Sequence, residues 1–168
     1  MGLLKNAETR LYNLLRLYRW RAVNKLLDTN SQTLLDIGCE GMFFHDKLKD
    51  RYKVTVSDYC PKNSAIKKED IQNLSFEDKS FDIILCQQVL EHVPDPPKAI
   101  LELKRVAKKQ LIISVPYEPF FTFFRLLIWE KEHLWAITPK ILKFYLGEPA
   151  YEHKIFLKTY YLAVWRFD

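Results

Sequence analysis

The sequence Leu34-Leu35-Asp36-Ile37-Gly38-Cys39 joins an apolar pair to an acid and a glycine. An apolar run that ends in this way predicts a short buried strand followed by a sharp turn, for which glycine is the most permissive residue. Three more apolar runs predict strands: Val54-Thr55-Val56-Ser57-Asp58, Phe81-Asp82-Ile83-Ile84-Leu85-Cys86 and Leu111-Ile112-Ile113-Ser114-Val115. Helical patterns alternate with these strands, so we expect right-handed βαβ units and a mostly parallel sheet.

Polar residues lie at the ends of the predicted strands. Asp36, Asp58 and Gln87 fall at or just after three carboxyl ends, and the segment Lys68-Glu69-Asp70-Ile71 supplies a third acid. Sheets of this kind bind ligands at that edge, where the strand order reverses. The sequence therefore predicts one polar cleft. Acids at successive strand ends suit a ligand with a ribose and an amine better than one with a pyrophosphate.

The whole pattern predicts one domain in four parts. Apolar residues at helical spacing from Leu4 to Leu26 predict an amphipathic helix within a basic segment, 1–30, with its arginines on other faces. Segment 33–115 is the expected ligand-binding core, 116–150 a lid on the substrate side, and 151–168 a C-terminal hairpin. Further helices are expected over 42–49, from Asp95 onward, over 121–129 and from Thr138 to a stop at Gly147.

The composition is that of a globular protein. The chain has 168 residues, 48% of them hydrophobic, which suits one domain with a real core. Its three cysteines lack metal-ligand spacing, which favours reduced thiols, and the first residues lack the apolar region of a signal peptide. Because no apolar run reaches the length of a membrane span, we expect a soluble, cytoplasmic protein.

Two clusters carry much of the net charge of +5. Six basic residues in segment 1–30 are accompanied only by Glu8 and Asp28. The second cluster lies in an expected loop between a helix and a strand and comprises Lys104, Arg105, Lys108 and Lys109. Either cluster could bind phosphate in RNA or at a lipid surface. We favour the simpler interpretation, in which both are solvated surfaces.

Four motifs in order resemble those of the class I S-adenosylmethionine-dependent methyltransferases, especially the type 11 group. They are Leu34 to Cys39, Ser57-Asp58-Tyr59-Cys60-Pro61, Glu69-Asp70-Ile71 with the segment that ends in Phe81-Asp82, and Cys86-Gln87-Gln88-Val89-Leu90-Glu91-His92-Val93-Pro94-Asp95-Pro96. The resemblance covers about half of the chain. It implies a Rossmann-like, doubly wound, mostly parallel seven-stranded sheet, with helices on both faces and a C-terminal antiparallel hairpin. It also implies S-adenosyl-L-methionine as the cofactor.

The resemblance assigns a role to each matching residue. Gly38, flanked by Asp36 and Cys39, would let its loop approach the methionine part of the cofactor. Asp58 would accept hydrogen bonds from both ribose hydroxyls, as the acid does in dinucleotide-binding folds. The remaining contacts would be Tyr59 against the adenine, Asp70 and the Ile71 backbone at the adenine amine, and Gln87 at the ammonium group.

Two positions depart from the family pattern. Glu40 and Met42 stand where the glycine loop has further glycines, so only Gly38 fits without a gap. Alternatively, the loop is one residue shorter and Gly41 replaces the last glycine. Glu40 also brings a negative charge towards the cofactor's carboxylate, so we expect weaker binding unless its side chain points to solvent. A non-catalytic partner subunit is therefore an alternative to an enzyme.

Methyl transfer needs few catalytic residues, because the sulfonium is already an excellent leaving group. His92 is the candidate base, although packing or capping at a helix start would explain it equally well. Some relatives hold a metal with a Glu-x-x-Glu-His run; here Gln88 replaces the first acid, so we expect no metal. The resemblance places the acceptor pocket after the fifth strand, at Tyr117, His133 and Trp135.

The sequence as a whole predicts a methyltransferase that acts on an oxygen or nitrogen of a small, apolar or aromatic acceptor. The many aromatic residues between Phe120 and Trp129 favour such an acceptor. An RNA or protein methyltransferase is the alternative, and the basic N-terminal helix supports it. Nucleic acid is the less favoured partner, because the sequence shows no appended binding module.

Overall fold

The computed structural model describes residues 2–39, 41–117, 134–155 and 159–167. Its helices are α1 (Gly2–Asn24), α2 (Phe43–Leu48), α3 (Pro96–Val106) and α4 (Pro139–Leu146), with a 3-10 turn at Leu90–His92. Its strands are β1 (Thr33–Ile37), β2 (Lys53–Asp58), β3 (Lys67–Lys68), β4 (Phe81–Gln87), β5 (Ala107–Pro116), β6 (Tyr151–Ile155) and β7 (Tyr160–Arg166). The helix expected over 121–129 lies outside the described residues.

One sheet contains these seven strands in the order β3-β2-β1-β4-β5-β7-β6. Strands β1 to β5 pair in parallel, whereas β7 is antiparallel to both β5 and β6. The chain enters at β1, winds outward to β3 and returns to β4 on the other side of β1. This reversal creates a switch point between β1 and β4. The predicted Rossmann-like sheet and its C-terminal hairpin are therefore confirmed.

Helices cover both faces of the sheet. On one face, α3 and α4 pack through Ile100, Leu103 and Leu142. On the other face, α1, its C-terminal turn and α2 contribute Val23, Leu27, Phe44 and Leu48 to a second core. Helix α4 belongs to the segment assigned above to the lid, but in the structure it packs against α3. Because both faces are covered, the ends of the strands are where a ligand can reach the sheet.

Local sequence sets the ends of α3 and α4. The backbone N–H of Lys98 donates a hydrogen bond to the side chain of Asp95 at 3.1 Å, and prolines occupy the first positions of α3. Thr138 caps α4 in the same way by accepting from the N–H of Ile141 at 3.3 Å. Gly147 follows α4 with a φ of +82°, which glycine adopts without strain. The predicted starts at Asp95 and Thr138 are confirmed.

Strand β5 is longer than its sequence pattern predicts. It begins directly after α3, so Lys108 and Lys109 lie on a strand and not in the expected loop. The side chain of Gln110 anchors this early part of the strand. It accepts from the backbone N–H of Asp28 at 3.1 Å and donates to the carbonyl of Leu26 at 2.8 Å. These contacts join residues that are distant in sequence, so a local pattern does not reveal them.

Helix α1 packs differently from what its apolar stripe predicts. Leu14 of that stripe is 55% exposed, whereas Arg19 is only 8% exposed. The guanidinium groups of Arg16 and Arg19 lie over the rings of Phe43 and Tyr160, at 4.3 and 5.3 Å from the ring centroids. Cation–π contact and the apolar stems of arginine allow this packing. The expectation that the arginines avoid the buried side of the helix is therefore wrong.

Candidate functional site

The carboxyl ends of β1, β2 and β4 meet at one edge of the sheet. Ile37 lies in register with Ser57 on β2 and with Cys86 on β4. The backbone N–H groups of Gly38 and Cys39 donate to the carbonyl of Ser57 at 2.9 and 3.2 Å, which ties the loop after β1 to β2. The structure thus brings together the strand-end residues that the sequence predicts to line one cleft, namely Asp36, Asp58 and Gln87.

The fold itself requires glycine at position 38. Gly38 has a φ of +70°, and a Cβ there would lie 2.3 Å from Cγ2 of Val89. Because Val89 follows β4, glycine lets the segments after β1 and β4 approach each other closely. The expected approach of the same backbone to a cofactor is a separate property and stays a prediction.

The departures from the glycine pattern put no strain on the described backbone. Met42 precedes α2 with an ordinary φ of −97°. A Cβ added to Gly41 would have no atom of the described residues within 4 Å. Glu40 lies outside the described residues. The side chain of Met42 is therefore compatible with the described part of the loop, and Gly38 has the backbone conformation that favours glycine.

Asp36 is a buried acid with one unsatisfied oxygen. Only 2% of the residue is exposed, and its Oδ2 has no hydrogen-bond partner in the described part of the chain. Burial, followed by repulsion from Asp58, raises the pKa of Asp36 to about 7. A cationic or N–H group of a ligand would stabilise such a carboxylate.

Asp58 and Tyr59 lie at the end of β2. The backbone N–H of Cys60 donates to Oδ1 of Asp58 at 2.9 Å, which shapes the turn after the strand. Asp58 is partly exposed, and the neighbouring Tyr59 is 65% exposed. A carboxylate can accept from ribose hydroxyls and an exposed ring can stack on a base, so the pair suits a nucleoside.

Asp70 lies next to the end of β2, because the N–H of Glu69 donates to the carbonyl of Asp58 at 3.0 Å. The Oδ1 of Asp70 accepts from the backbone and side-chain amides of Gln72, at 2.9 and 3.2 Å. Ile71 is 6% exposed and packs in the core, which leaves only its backbone for a ligand. The carboxylate of Asp70 thus stabilises the turn from Asp70 to Gln72. It also has further lone pairs that could accept hydrogen bonds from an amine.

A relay of hydrogen bonds positions Gln87 at the end of β4. Gln88 donates through Nε2 to Oγ of Ser114 at 3.1 Å, and Ser114 donates to Oε1 of Gln87 at 2.9 Å. Gln88 has a φ of +58°, which is uncommon for a residue other than glycine. Ser114 is absent from the predicted site residues, because its position opposite Gln87 depends on the pairing of β4 with β5.

Glu91 and His92 lie in the 3-10 turn after β4. Glu91 is only 1% exposed. Burial raises the pKa of the Cys86 thiol, and the negative charge of Glu91 raises this pKa further. The predicted site residues do not include Glu91. His92 is exposed. Within the described ranges, no three His, Cys, Asp or Glu side chains are placed to hold a metal ion.

The predicted acceptor residues occupy different places. The N–H groups of Leu134 and Trp135 donate to the carbonyl of Glu91 at 2.8 and 3.2 Å, which holds the half-exposed Trp135 beside the turn after β4. Tyr117 lines a cavity of about 480 Å³ that extends towards β6. His133 lies outside the described residues. Of the described acceptor candidates, Trp135 is therefore the one whose backbone is bonded to the turn after β4.

Part of the chain is similar to known methyltransferases. Residues 35–114 match the family model described as "Methyltransferase domain". The ubiquinone biosynthesis O-methyltransferase of Xanthomonas oryzae pv. oryzae is 25% identical over 162 residues, which cover 85% of this chain and 64% of the relative. The tRNA U34 carboxymethyltransferase of Nautilia profundicola is 24% identical over 102 residues, which cover 51% of this chain and 34% of the relative.

Solved structures share the fold. A SAM-dependent methyltransferase from Thermotoga maritima matches with a TM-score of 0.73 at 16% identity, covering 97% of this chain and 96% of that one. The PH0226 protein from Pyrococcus horikoshii matches with a TM-score of 0.68 at 17% identity, covering 94% and 91%. At these identities the likeness shows the fold alone.

Residues 35–114 therefore match a class I S-adenosylmethionine-dependent methyltransferase domain of the type 11 group. S-adenosyl-L-methionine is the cofactor of this class, and the site fits it. The buried Asp36 suits a cationic group, and Asp58 with Tyr59 suits a nucleoside. The chain spans 34%, 25% and 64% of the length of three curated relatives that it matches.

Proposed function

We propose that this protein transfers the methyl group of S-adenosyl-L-methionine to an oxygen or nitrogen of a small, apolar or aromatic acceptor. The meeting of Asp36, Asp58 and Gln87 at the carboxyl edge of the sheet carries the proposal. Within this group, Oδ2 of Asp36 is buried without a donor from the described part of the chain. That environment favours a ligand with positive charge, and the cofactor bears an ammonium and a sulfonium group.

Each site residue would hold one part of the cofactor. Asp36 and Gln87 would bind the ammonium group, and Asp58 would accept hydrogen bonds from the ribose hydroxyls. The other contacts would be Tyr59 on the adenine ring, Asp70 and the Ile71 backbone at its amine, and Gly38 and Cys39 along the methionine part. The bound sulfonium supplies an activated methyl group, so the protein has mainly to align the acceptor and exclude water.

The acceptor would bind beside the turn that follows β4. His92 is exposed in this turn and would take the proton from an acceptor hydroxyl or amine. Trp135 is held at the same turn through Glu91 and would provide an apolar wall. Tyr117 and His133 remain predicted acceptor contacts. One relative is named for O-methyl transfer in ubiquinone biosynthesis, which supports an oxygen acceptor.

A nucleic-acid acceptor is the second candidate. One relative is a tRNA carboxymethyltransferase, and α1 is rich in arginine. RNA binding of this kind would show as retention that falls steeply with salt, because phosphate contacts release counterions. Methylation of a small acceptor without such retention would favour the main proposal.

Calorimetric titration of S-adenosylmethionine and S-adenosylhomocysteine tests the cofactor site. We expect both to bind, and Asp58→Ala to weaken binding by more than about tenfold through lost hydrogen bonds to the ribose. Asp50→Ala removes an exposed acid after α2 and is the matched control, with affinity equal to that of the wild type. A folded wild-type protein that binds neither compound would contradict the proposal and favour the non-catalytic alternative.

A further inference from the structure

Helix α1 presents a row of exposed residues that the proposed site does not use. The row follows the spacing i, i+4, i+7, i+8, i+11 and i+15 of one helical face. Leu14, Leu17 and Tyr18 are 55%, 43% and 47% exposed. The basic-apolar stripe, as we name this face, consists of Arg10, Leu14, Leu17, Tyr18, Arg21 and, directly after the helix, Lys25.

The stripe lies opposite the side of α1 that contacts the protein. That inner side packs through Val23 and Trp20 on the second core, and the ring of Trp20 meets the edge of Phe44. No acidic residue belongs to the stripe. Within the described ranges, the side chains of its three basic residues form no ion pair with a carboxylate. Its positive charge is therefore available to an external partner.

We propose that the basic-apolar stripe docks on the surface of an anionic lipid membrane. Cationic side chains are attracted to anionic headgroups, and leucine and tyrosine side chains beside them can enter the boundary between headgroups and acyl chains. RNA would satisfy the cations but leave the leucines in water. No helix in the described part of the chain is long and apolar enough to cross a bilayer.

Helix α1, which carries the stripe, extends to the carboxyl edge of the sheet. Arg16 of α1 contacts Phe43, the first residue of α2 after the glycine loop. Arg19 contacts Tyr160, which pairs with Pro116 at the carboxyl end of β5. Docking through α1 would bring this edge close to the membrane, where apolar acceptors concentrate. The docking does not depend on the proposed reaction, so the two can be tested separately.

Vesicle flotation of the full chain tests the proposal. We expect the protein to float with phosphatidylglycerol vesicles and not with phosphatidylcholine vesicles, and salt to release it. Leu14→Ser with Leu17→Ser, and separately Arg10→Glu with Arg21→Glu, should each lower the partition coefficient by at least about tenfold. Leu101→Ser on α3 and Lys108→Glu on β5 change exposed residues elsewhere and should bind like the wild type.

Several outcomes would overturn the proposal. The proposal is wrong if the wild-type protein does not float with anionic vesicles. It is also wrong if the wild type and both stripe variants float equally well. RNA retention without flotation would assign the stripe to nucleic acid, and a dimer that Leu14→Ser with Leu17→Ser disrupts, again without flotation, would assign it to a second copy. Circular dichroism and unfolding curves of each variant establish that the fold is intact, whether or not cofactor binding is observed.

Discussion

Two buried aspartates show how the two edges of the sheet differ. Asp82 lies near the start of β4, and Asp36 lies near the end of the neighbouring β1. Asp82 accepts from the backbone N–H groups of Gln32 and Thr33 at 2.8 and 3.2 Å, and Nζ of Lys109 is 3.3 Å from its carboxylate. Asp36 has no such set of donors, since its Oδ2 is unpartnered among the described residues.

The pKa values of the two acids diverge for this reason. Burial alone would raise the pKa of Asp82, but the two amide hydrogen bonds and the ammonium of Lys109 lower it below its ordinary value. For Asp36, burial and the nearby Asp58 raise the pKa to about 7. At the amino ends of the strands, hydrogen bonds and an ammonium group therefore stabilise the buried carboxylate of Asp82. At the carboxyl ends, the described residues give Oδ2 of the buried Asp36 no such partner.

Removal of the Asp82 side chain should have the largest effect on stability. Asp82→Ala leaves the N–H groups of Gln32 and Thr33 and the ammonium of Lys109 without their acceptor. We expect the free energy of unfolding to fall by about 3 kcal/mol, measured by urea denaturation at neutral pH. Glu77→Ala removes an exposed acid nearby and serves as the control. A loss below about 0.5 kcal/mol would mean that the Asp82 side chain contributes no more to stability than an ordinary surface residue. That result would contradict the contrast drawn between Asp82 and Asp36.

Gly38→Ala tests whether the carboxyl edge needs its close approach. The added methyl group would overlap Val89 in a backbone conformation that favours glycine, so we expect a loss of about 2 kcal/mol in unfolding free energy. Gly41→Ala is the matched control and should cost little, because none of the described residues has an atom within 4 Å of its Cβ position. If Val89→Ala does not recover part of the loss in the Gly38→Ala background, the overlap is not the cause.

The pH dependence of stability sharpens the contrast between the two acids. The pKa of Asp36 is about 7 in the native state and 3.8 ordinarily, so the native protein binds the proton more tightly and stability falls as pH rises between these values. Asp36→Asn should remove that fall, so its stability relative to the wild type should increase steadily as the pH rises through this range. Asp82 acts in the opposite sense, since its lowered pKa gives stability that is lost in acid. Parallel stability curves for the wild type and Asp36→Asn would refute the assignment.

Local sequence predicts much of the carboxyl edge of the sheet. An apolar run that ends in Asp36 or Asp58 indicates both a strand and its carboxyl end, and parallel strands bring such ends to one edge. The caps at Asp95 and Thr138 are equally local, since each side chain bonds an N–H three residues later. These features are readable because each is set within a few consecutive residues.

Contacts between distant residues account for what the sequence does not predict. Asp82 contacts residues that lie 49 and 50 positions away, and Ser114 lies 27 positions from Gln87. The burial of Arg19 likewise depends on Tyr160, which belongs to the far end of the chain. Such pairs require the strand register and the helix packing, and local patterns specify neither.

Proton release during S-adenosylmethionine binding tests the role assigned to Asp36 most directly. With a pKa of about 7, Asp36 is mostly protonated at slightly acidic pH, and the cationic ligand would favour its ionised form. Calorimetry at about pH 6 in buffers of different ionisation enthalpy should show release of nearly one proton, which Asp36→Asn abolishes. A binding heat that is independent of the buffer, or a release that persists in Asp36→Asn, would contradict this role.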